Sequence, residues 1–414
     1  MLPPPEETVT SVIPNQNRPR EFAIVLILAV VQLSHILDFV LLMPLGPQLM
    51  RALTIDVEKF SQLVAVYTLS AALSCFLASF IMDRLDRRSL LLFIYGGLIL
   101  GTFGCGLAPS FSLLLGARII TGIFGGLLQA IILSILADVI PLERRGRATG
   151  MVMGAFAVSS VAGVPLGLAI ANRFGWNMPF LALGCVSLCN WGLVWLKIPP
   201  IRDHIATLDH GDRLGDSVSI FRNANTAVSV LLIVSMMTVF AMFPFVSPFL
   251  VNIVGIQEQD LPQIYLVGGL ASLVATPLIG FMSDKFGSRQ VFVGCTALSM
   301  VAVFFFSRLQ ASTLAVALTL NALVGAVGVG RMTPSMNLIS RSVSSRQRGS
   351  FMGLIAAVQQ LAASAASYAG GLILGGSAGM QNFSLIGAIV AISMLVSIGL
   401  CFLFRPVQEQ VCAV

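Results

Sequence analysis

Apolar runs of about 20 residues, cut by short polar turns, recur along the whole of this 414-residue chain. A bilayer span needs roughly 20 predominantly apolar residues. Twelve runs reach or approach that length: 22–46, 60–82, 89–108, 112–137, 147–171, 178–197, 225–251, 262–283, 290–307, 312–339, 350–375 and 383–404. Most connections are only a few residues long. The exception is 198–224, which carries Asp203, His204, Asp209, His210, Asp212, Arg213 and Asp216 and divides the spans six and six. The pattern predicts an all-α membrane protein of twelve transmembrane helices in two six-helix halves, 22–197 and 225–404. The stretch 198–224 is then an inter-half linker, and 1–21 and 405–414 are tails.

The polar turns repeat as the runs do. Asp83-Arg84-Leu85-Asp86-Arg87-Arg88 falls between the second and third spans, and Asp284-Lys285-Phe286-Gly287-Ser288-Arg289 between the eighth and ninth, about 201 residues later. Arg145-Gly146 followed by Gly150 recurs as Arg348-Gly349 followed by Gly353, about 203 residues on. The two halves are therefore pseudo-symmetric copies of one plan, a duplication common among secondary transporters.

Composition agrees with lipid as the main solvent: 57% of residues are hydrophobic and 10% charged, against roughly 25% charged in soluble domains. The net charge of +6 reflects basic residues gathered in particular loops, which is not a nucleic-acid footprint. With the N-terminus in the cytoplasm, 18 of the 24 Lys and Arg residues fall on the cytoplasmic side, four on the other, and Arg118 and Arg331 within spans. That bias predicts both termini in the cytoplasm. Residues 1–20 hold five prolines and lack the basic segment, short apolar run and small-residue site of a cleaved signal peptide, so a flexible cytoplasmic tail before a retained first helix is expected. The seven cysteines lie mostly within apolar runs and read as buried apolar side chains. No phosphate-binding loop, dinucleotide fingerprint or His-Glu-x-x-His pattern is present. Gly375-Gly376-Ser377-Ala378-Gly379 matches a hydrolase nucleophile pattern, but it follows a helix, and all three histidines lie in the first 210 residues. Neither an enzyme nor a metal or cofactor site is expected.

Ser79-Phe80-Ile81-Met82-Asp83-Arg84-Leu85-Asp86-Arg87-Arg88 resembles the signature loop of the major facilitator superfamily, Gly-x-Leu-Ala-Asp-Arg-x-Gly-Arg-Arg, with Ser79 and Asp86 in place of its glycines. The second copy, Gly280 to Arg289, keeps both glycines. The resemblance covers 22–404. It implies that Asp83, Arg84, Arg87, Arg88, Asp284, Arg289, Arg145 and Arg348 belong to a charge network latching the halves at the cytoplasmic face. Arg118-Ile119-Ile120-Thr121-Gly122 resembles the family's Arg-x-x-Gln-Gly motif, whose Arg is linked to proton coupling. An arginine within the membrane calls for a partner or a watery cavity. Asp38 is the carboxylate inside the first span, and both residues fall in the outer halves of their helices. The spacing puts His35 and Gln32 on the Asp38 face, where His35 can assist proton movement.

Further site expectations concern the cavity and the packing. Gly150, Gly154, Gly163, Pro165 and Gly167 in the fifth span suit close packing with a bend, and Gly163 to Gly167 resembles a stretch of sugar-efflux-like permeases. The seventh span, with Phe240, Phe243, Pro244, Phe245, Pro248 and Phe249, suits a broken aromatic helix beside an amphiphilic substrate. Gln129, Asn321, Gln359 and Gln360 are polar cavity candidates; Arg331, near the cytoplasmic end of its span, is placed to snorkel or to form an inner gate contact. The reading that unites these features is a proton-coupled exporter of a small organic or amphiphilic compound, working by alternating access as a monomer in a bacterial inner membrane. An importer of a sugar or metabolite and a non-transporting receptor are the alternatives; the short loops offer a receptor no signalling domain.

Overall fold

The computed structural model describes residues 18–81, 85–201, 224–340, 342–343, 348–377 and 379–404. The two tails, most of the linker, and Asp83 and Arg84 lie outside them. Twelve long helices run through these residues: α1 Arg18–Leu41, α2 Val57–Ile81, α3 Arg87–Leu107, α4 Phe111–Val139, α5 Leu142–Phe174, α6 Met178–Lys197, α7 Asn225–Val254, α8 Leu261–Phe286, α9 Ser288–Phe306, α10 Leu314–Ser340, α11 Arg348–Gly375 and α12 Phe383–Leu403. Ten are long and apolar enough to cross a bilayer; α2 and α11, of 25 and 28 residues, are the other two. A bilayer offers no partner for an unpaired backbone amide, which is why an apolar chain closes into continuous helices there.

The packing repeats with the sequence. In the first half α2 and α3 pack on α4, and α3 packs on α6; six helices later α8 and α9 pack on α10, and α9 on α12. The halves meet along two seams, α2 against α11 and α5 against α8. Glycines permit both. A Cβ at Gly269 of α8 would lie 2.6 Å from the Ser160 carbonyl oxygen of α5, and one at Gly371 of α11 would collide with the Ser61 hydroxyl of α2.

Prolines set the irregular turns. Pro44 stops α1 at Leu41, and the chain enters a short helix, Gly46–Ala52, before α2. In α5 a π turn at Ser159–Gly163 precedes Pro165 and absorbs the hydrogen bond that proline cannot donate. In α7, Pro244 and Pro248 accompany two short 3₁₀ segments and a terminal π turn, as the sequence predicts for a broken helix. The two copies of the signature loop use different chemistry. Gly287 sits at φ +90°, where a side chain is strained, whereas Asp86 sits at φ −57° and caps α3 by accepting from the Ser89 amide at 2.9 Å. The other Asp86 oxygen accepts from the Ile201 amide at 2.8 Å. Asp86 therefore needs no glycine freedom. One expectation is corrected: Cys185 and Cys189 are exposed on α6, because helix spacing puts them on its outward face.

Candidate coupling site

Asp38 lies one turn before the end of α1, and Arg118 two turns inside α4. Because α1 and α4 run in opposite directions, both reach the same level. Arg118 Nη1 donates to Asp38 Oδ2 at 3.0 Å and to the Asp38 carbonyl oxygen at 3.2 Å. Thr102 Oγ1 of α3 donates to the other carboxylate oxygen at 2.8 Å. Both charged side chains are buried, at 1% exposure or less. The guanidinium lies 4.4 Å from the centre of the Tyr67 ring of α2, a cation over a π face. Four helices thus converge on one ion pair. Arg118 Nε and Nη2 have no hydrogen-bond partner, so the pair is held by one ionic contact, the bond to the Asp38 carbonyl, a hydroxyl and a ring. A buried pair of this kind is strongly perturbed by losing either charge.

Glycines on α4 make this convergence possible. A Cβ at Gly125 would lie 2.5 Å from Tyr67 Oη and 3.1 Å from the His35 ring. His35 and Gln32 lie on the Asp38 side of α1. His35 sits beside Gly125 with the Tyr67 hydroxyl, and its Nδ1, the Gln32 Oε1 and the Tyr67 Oη are all buried without a partner. Three unsatisfied polar atoms, two of them beside Gly125, leave hydrogen-bonding capacity that a water can satisfy.

An aromatic row leads from this site to the other half. Tyr67 stacks on Phe39 with centroids 4.9 Å apart, Phe39 meets Phe240 of α7 at 6.2 Å, and Phe240 meets Phe243 at 6.0 Å. Phe39 is the neighbour of Asp38 in sequence, so the ion pair and the inter-half contact share one turn of α1.

The remaining expected residues fall in several places. Gln129 is exposed on the α4 stripe that carries Arg118, Gly122 and Gly125. Phe243 is 39% exposed, and Gln359 is half-buried. Asn321 is tied to α8, donating to the Ile264 carbonyl at 3.1 Å. Arg331 does not snorkel: it is 3% exposed and donates from Nη2 to the Met236 carbonyl at 3.3 Å. Gly163 and Gly167 take Leu37 and Leu41 of α1 against α5, as close packing requires. Gly150 and Gly154 do not, since a Cβ at Gly150 meets nothing within 4 Å and one at Gly154 meets only its own helix.

Of the expected latch, Asp83, Arg84 and the Arg348 side chain lie outside the described residues. Arg87 pairs with Asp138 at 3.3 Å, Arg88 donates to the Trp195 carbonyl, Arg145 to the Ala137 carbonyl at 2.5 Å, and Arg289 to the Phe404 carbonyl at 2.8 Å. Each of these contacts stays within its own half; Asp284 is exposed. Among the described residues, Ser364 of α11 donates to the Ala65 carbonyl of α2 at 2.7 Å within their seam, and a polar clamp bridges the halves at the opposite end. Arg51, in the short helix after α1, grips both carboxylate oxygens of Glu258 before α8, and Asn172 of α5 donates to the Glu258 carbonyl at 3.2 Å. Phe60 packs edge-on against Phe245 at 6.1 Å. Sequence reasoning missed this clamp, and Tyr67 and Thr102 with it. The Arg51–Glu258 pair spans 207 residues and no local motif marks it.

Comparison with known proteins agrees with this architecture. The family model described as Major Facilitator Superfamily matches residues 28–272 and 228–412. An uncharacterized MFS-type transporter of Bacillus subtilis, YbcL, is 23% identical over 365 residues, covering 87% of this chain and 91% of that protein. A chloramphenicol efflux pump of Mycobacterium tuberculosis is 26% identical over 306 residues, covering 69% and 71%. Among solved structures, a D-xylose-proton symporter superposes with a TM-score of 0.75 at 17% identity, over 93% of this chain and 98% of that one.

Proposed function

The chain belongs to the Major Facilitator Superfamily, and on that premise we propose that it is a proton-coupled exporter of a small organic or amphiphilic compound. The observation that carries the reading is the buried Asp38–Arg118 pair, one residue from the Phe39–Phe240 contact between the halves. When Asp38 takes a proton, its attraction to Arg118 falls, and so does the force holding Arg118 over Tyr67. Tyr67 stacks on Phe39, so the change reaches the seam with α7. A proton that favours one packing of this seam, and a compound that favours the other, are coupled to the extent of that difference. His35, with its unpartnered Nδ1 beside the Tyr67 hydroxyl, assists proton movement to and from the pair.

With both termini in the cytoplasm, the end closed by Arg51 and Glu258 is the outer one, a closure that an inward-facing state requires. Export is favoured over import by the chloramphenicol efflux pump among the relatives; the symporter likeness is one of fold alone. A bacterial inner membrane and a monomeric working unit complete the reading.

The test is proton release from purified, detergent-solubilised protein on adding candidate compounds, chloramphenicol among them, with wild type beside Asp38→Asn. The expected result is release by wild type and none by the variant, with binding retained. Equal release by both moves the proton site away from Asp38 and overturns the mechanism. Reconstituted vesicles with an imposed proton gradient then read the direction of flux.

A further inference from the structure

We propose that Arg331, with the methionines around it, recognises an anionic group, so that the transported compound is an amphiphilic organic anion bearing a carboxylate or phosphate. This rests on the transport reading above and adds the chemical class of the substrate.

Arg331 stands at a break in α10. The helix Leu314–Gly330 ends there and a second, Met332–Ser340, begins. Pro334 explains the break, because its ring crowds the carbonyl four residues back, that of Gly330. The side chain is 3% exposed, yet Nε and Nη1 have no partner and Nη2 has only the Met236 carbonyl. A buried cation is tolerated when it is paired, and Arg118 shows that this chain pairs one when it has a carboxylate to hand. The second half supplies none. Among the described residues of α7 to α12 the acidic side chains are Glu258 and Asp260 at one end of α8, the first already held by Arg51, and Asp284, exposed at the other end. Among the described residues no carboxylate pairs with Arg331, and an anion brought by a bound molecule would supply the countercharge.

The surroundings define the rest of that molecule. Met236 and Met237 of α7, Met332 and Met336 of α10, and Met352 of α11 belong to or pack on one apolar cluster. Methionine is unbranched and polarizable, and surfaces rich in it repack around ligands of different shape. A single rigid donor fork in such a wall suits an anionic head on a variable apolar body. Arg331 also lies close to the position that duplication pairs with Gln129, a polar residue of the equivalent helix. It lies about 202 residues after Gln129, between the offsets of about 201 and about 203 that relate the two pairs of polar turns, and Gln129 is exposed on the Arg118 face of α4.

The test uses the full chain in nonionic detergent and matched ligands: 4-phenylbutyrate with its primary amide, 1-naphthylacetate with its amide, and hexyl phosphate with hexanol. We expect the anion of at least one pair to bind about tenfold tighter than its neutral partner, Arg331→Gln to abolish that preference while neutral binding persists, and Arg331→Lys to keep part of it. Arg331→Met should raise the melting temperature of ligand-free protein, since it removes an uncompensated charge. No anion preference in any pair, an equal preference in Arg331→Gln, or a lower melting temperature for Arg331→Met would overturn the proposal. Phospholipid that copurifies with wild type and is lost in Arg331→Gln, without a preference among the soluble pairs, would assign the anion to the bilayer and overturn it as well. Loss of the preference in Arg331→Gln with no proton-linked flux in vesicles would sink transport and leave the anion site standing. Flux with the preference intact in Arg331→Gln would do the reverse.

Discussion

A carboxylate and a guanidinium enclosed by four helices are a liability unless their charge is used. Removing one partner of a buried ion pair costs about 3–5 kcal/mol, because the other charge is left without compensation. Arg118 already has Nε and Nη2 without partners, so Asp38→Ala should fall in that range, read as a lower melting temperature in detergent. The double replacement Asp38→Leu with Arg118→Met removes both charges and keeps the volume. We expect it to recover most of the lost stability while releasing no protons on ligand binding, a separation that a purely structural pair would not give. Recovery of both properties together would mean that the proton site lies elsewhere. The pair was legible in the sequence because it rests on two rare events, an acid and an arginine inside apolar runs, and depth along antiparallel helices matched them. Tyr67 and Thr102 were not legible, since a Tyr and a Thr in apolar helices are ordinary, and only the three-dimensional crossing shows which of them reaches the pair.

Helices and their breaks were largely written in the hydropathy pattern and the prolines, since lipid leaves the backbone no alternative. Packing faces were not. The spacing Gly150-x-x-x-Gly154 reads like Gly163-x-x-x-Gly167, but spacing places residues on one stripe without saying what that stripe meets. Here the first stripe meets no other helix and the second receives Leu37 and Leu41. The consequence is a pair of opposite effects. Gly150→Ala should stabilise by up to about 1 kcal/mol, the helix propensity difference, whereas Gly167→Ala should destabilise by about 1–3 kcal/mol through overpacking. Thermal denaturation of the two variants side by side reads both signs. The α3 cap offers a third element-level test. Asp86→Ala should cost about 1–3 kcal/mol and Asp86→Gly less, because Gly nearly replaces the cap while both variants lose the bond to the Ile201 amide. This cap was available to sequence reasoning in the run Asp86-Arg87-Arg88-Ser89, where an acid precedes the helix and its acceptor faces the third amide.

A molecule that alternates between two states needs closures that hold and then release. The clamp at the α1–α2 end fits that need. Arg51 and Glu258 are 63% and 21% exposed, and an exposed pair contributes about 0–1 kcal/mol. That is enough to shift a two-state equilibrium up to about fivefold and too little to lock it. At the other end the contacts described for Arg88, Arg145 and Arg289 lie within their own halves. The clamp therefore biases the population without defining it. Spin labels at Ala52 and Gln257, in a background with the native cysteines replaced, should give mainly short separations in the otherwise unaltered chain. Glu258→Gln should move part of the distribution to longer separations, and high salt should act in the same direction by screening an exposed pair. The charge swap Arg51→Glu with Glu258→Arg should restore the short separations, since it keeps the attraction and changes only its sense. Because Asn172 still donates to the backbone carbonyl at position 258, the Gln variant should open this end partially rather than completely. An unchanged distribution in Glu258→Gln would leave the aromatic contacts of Phe39 and Phe60 with Phe240 and Phe245 as what holds this end shut.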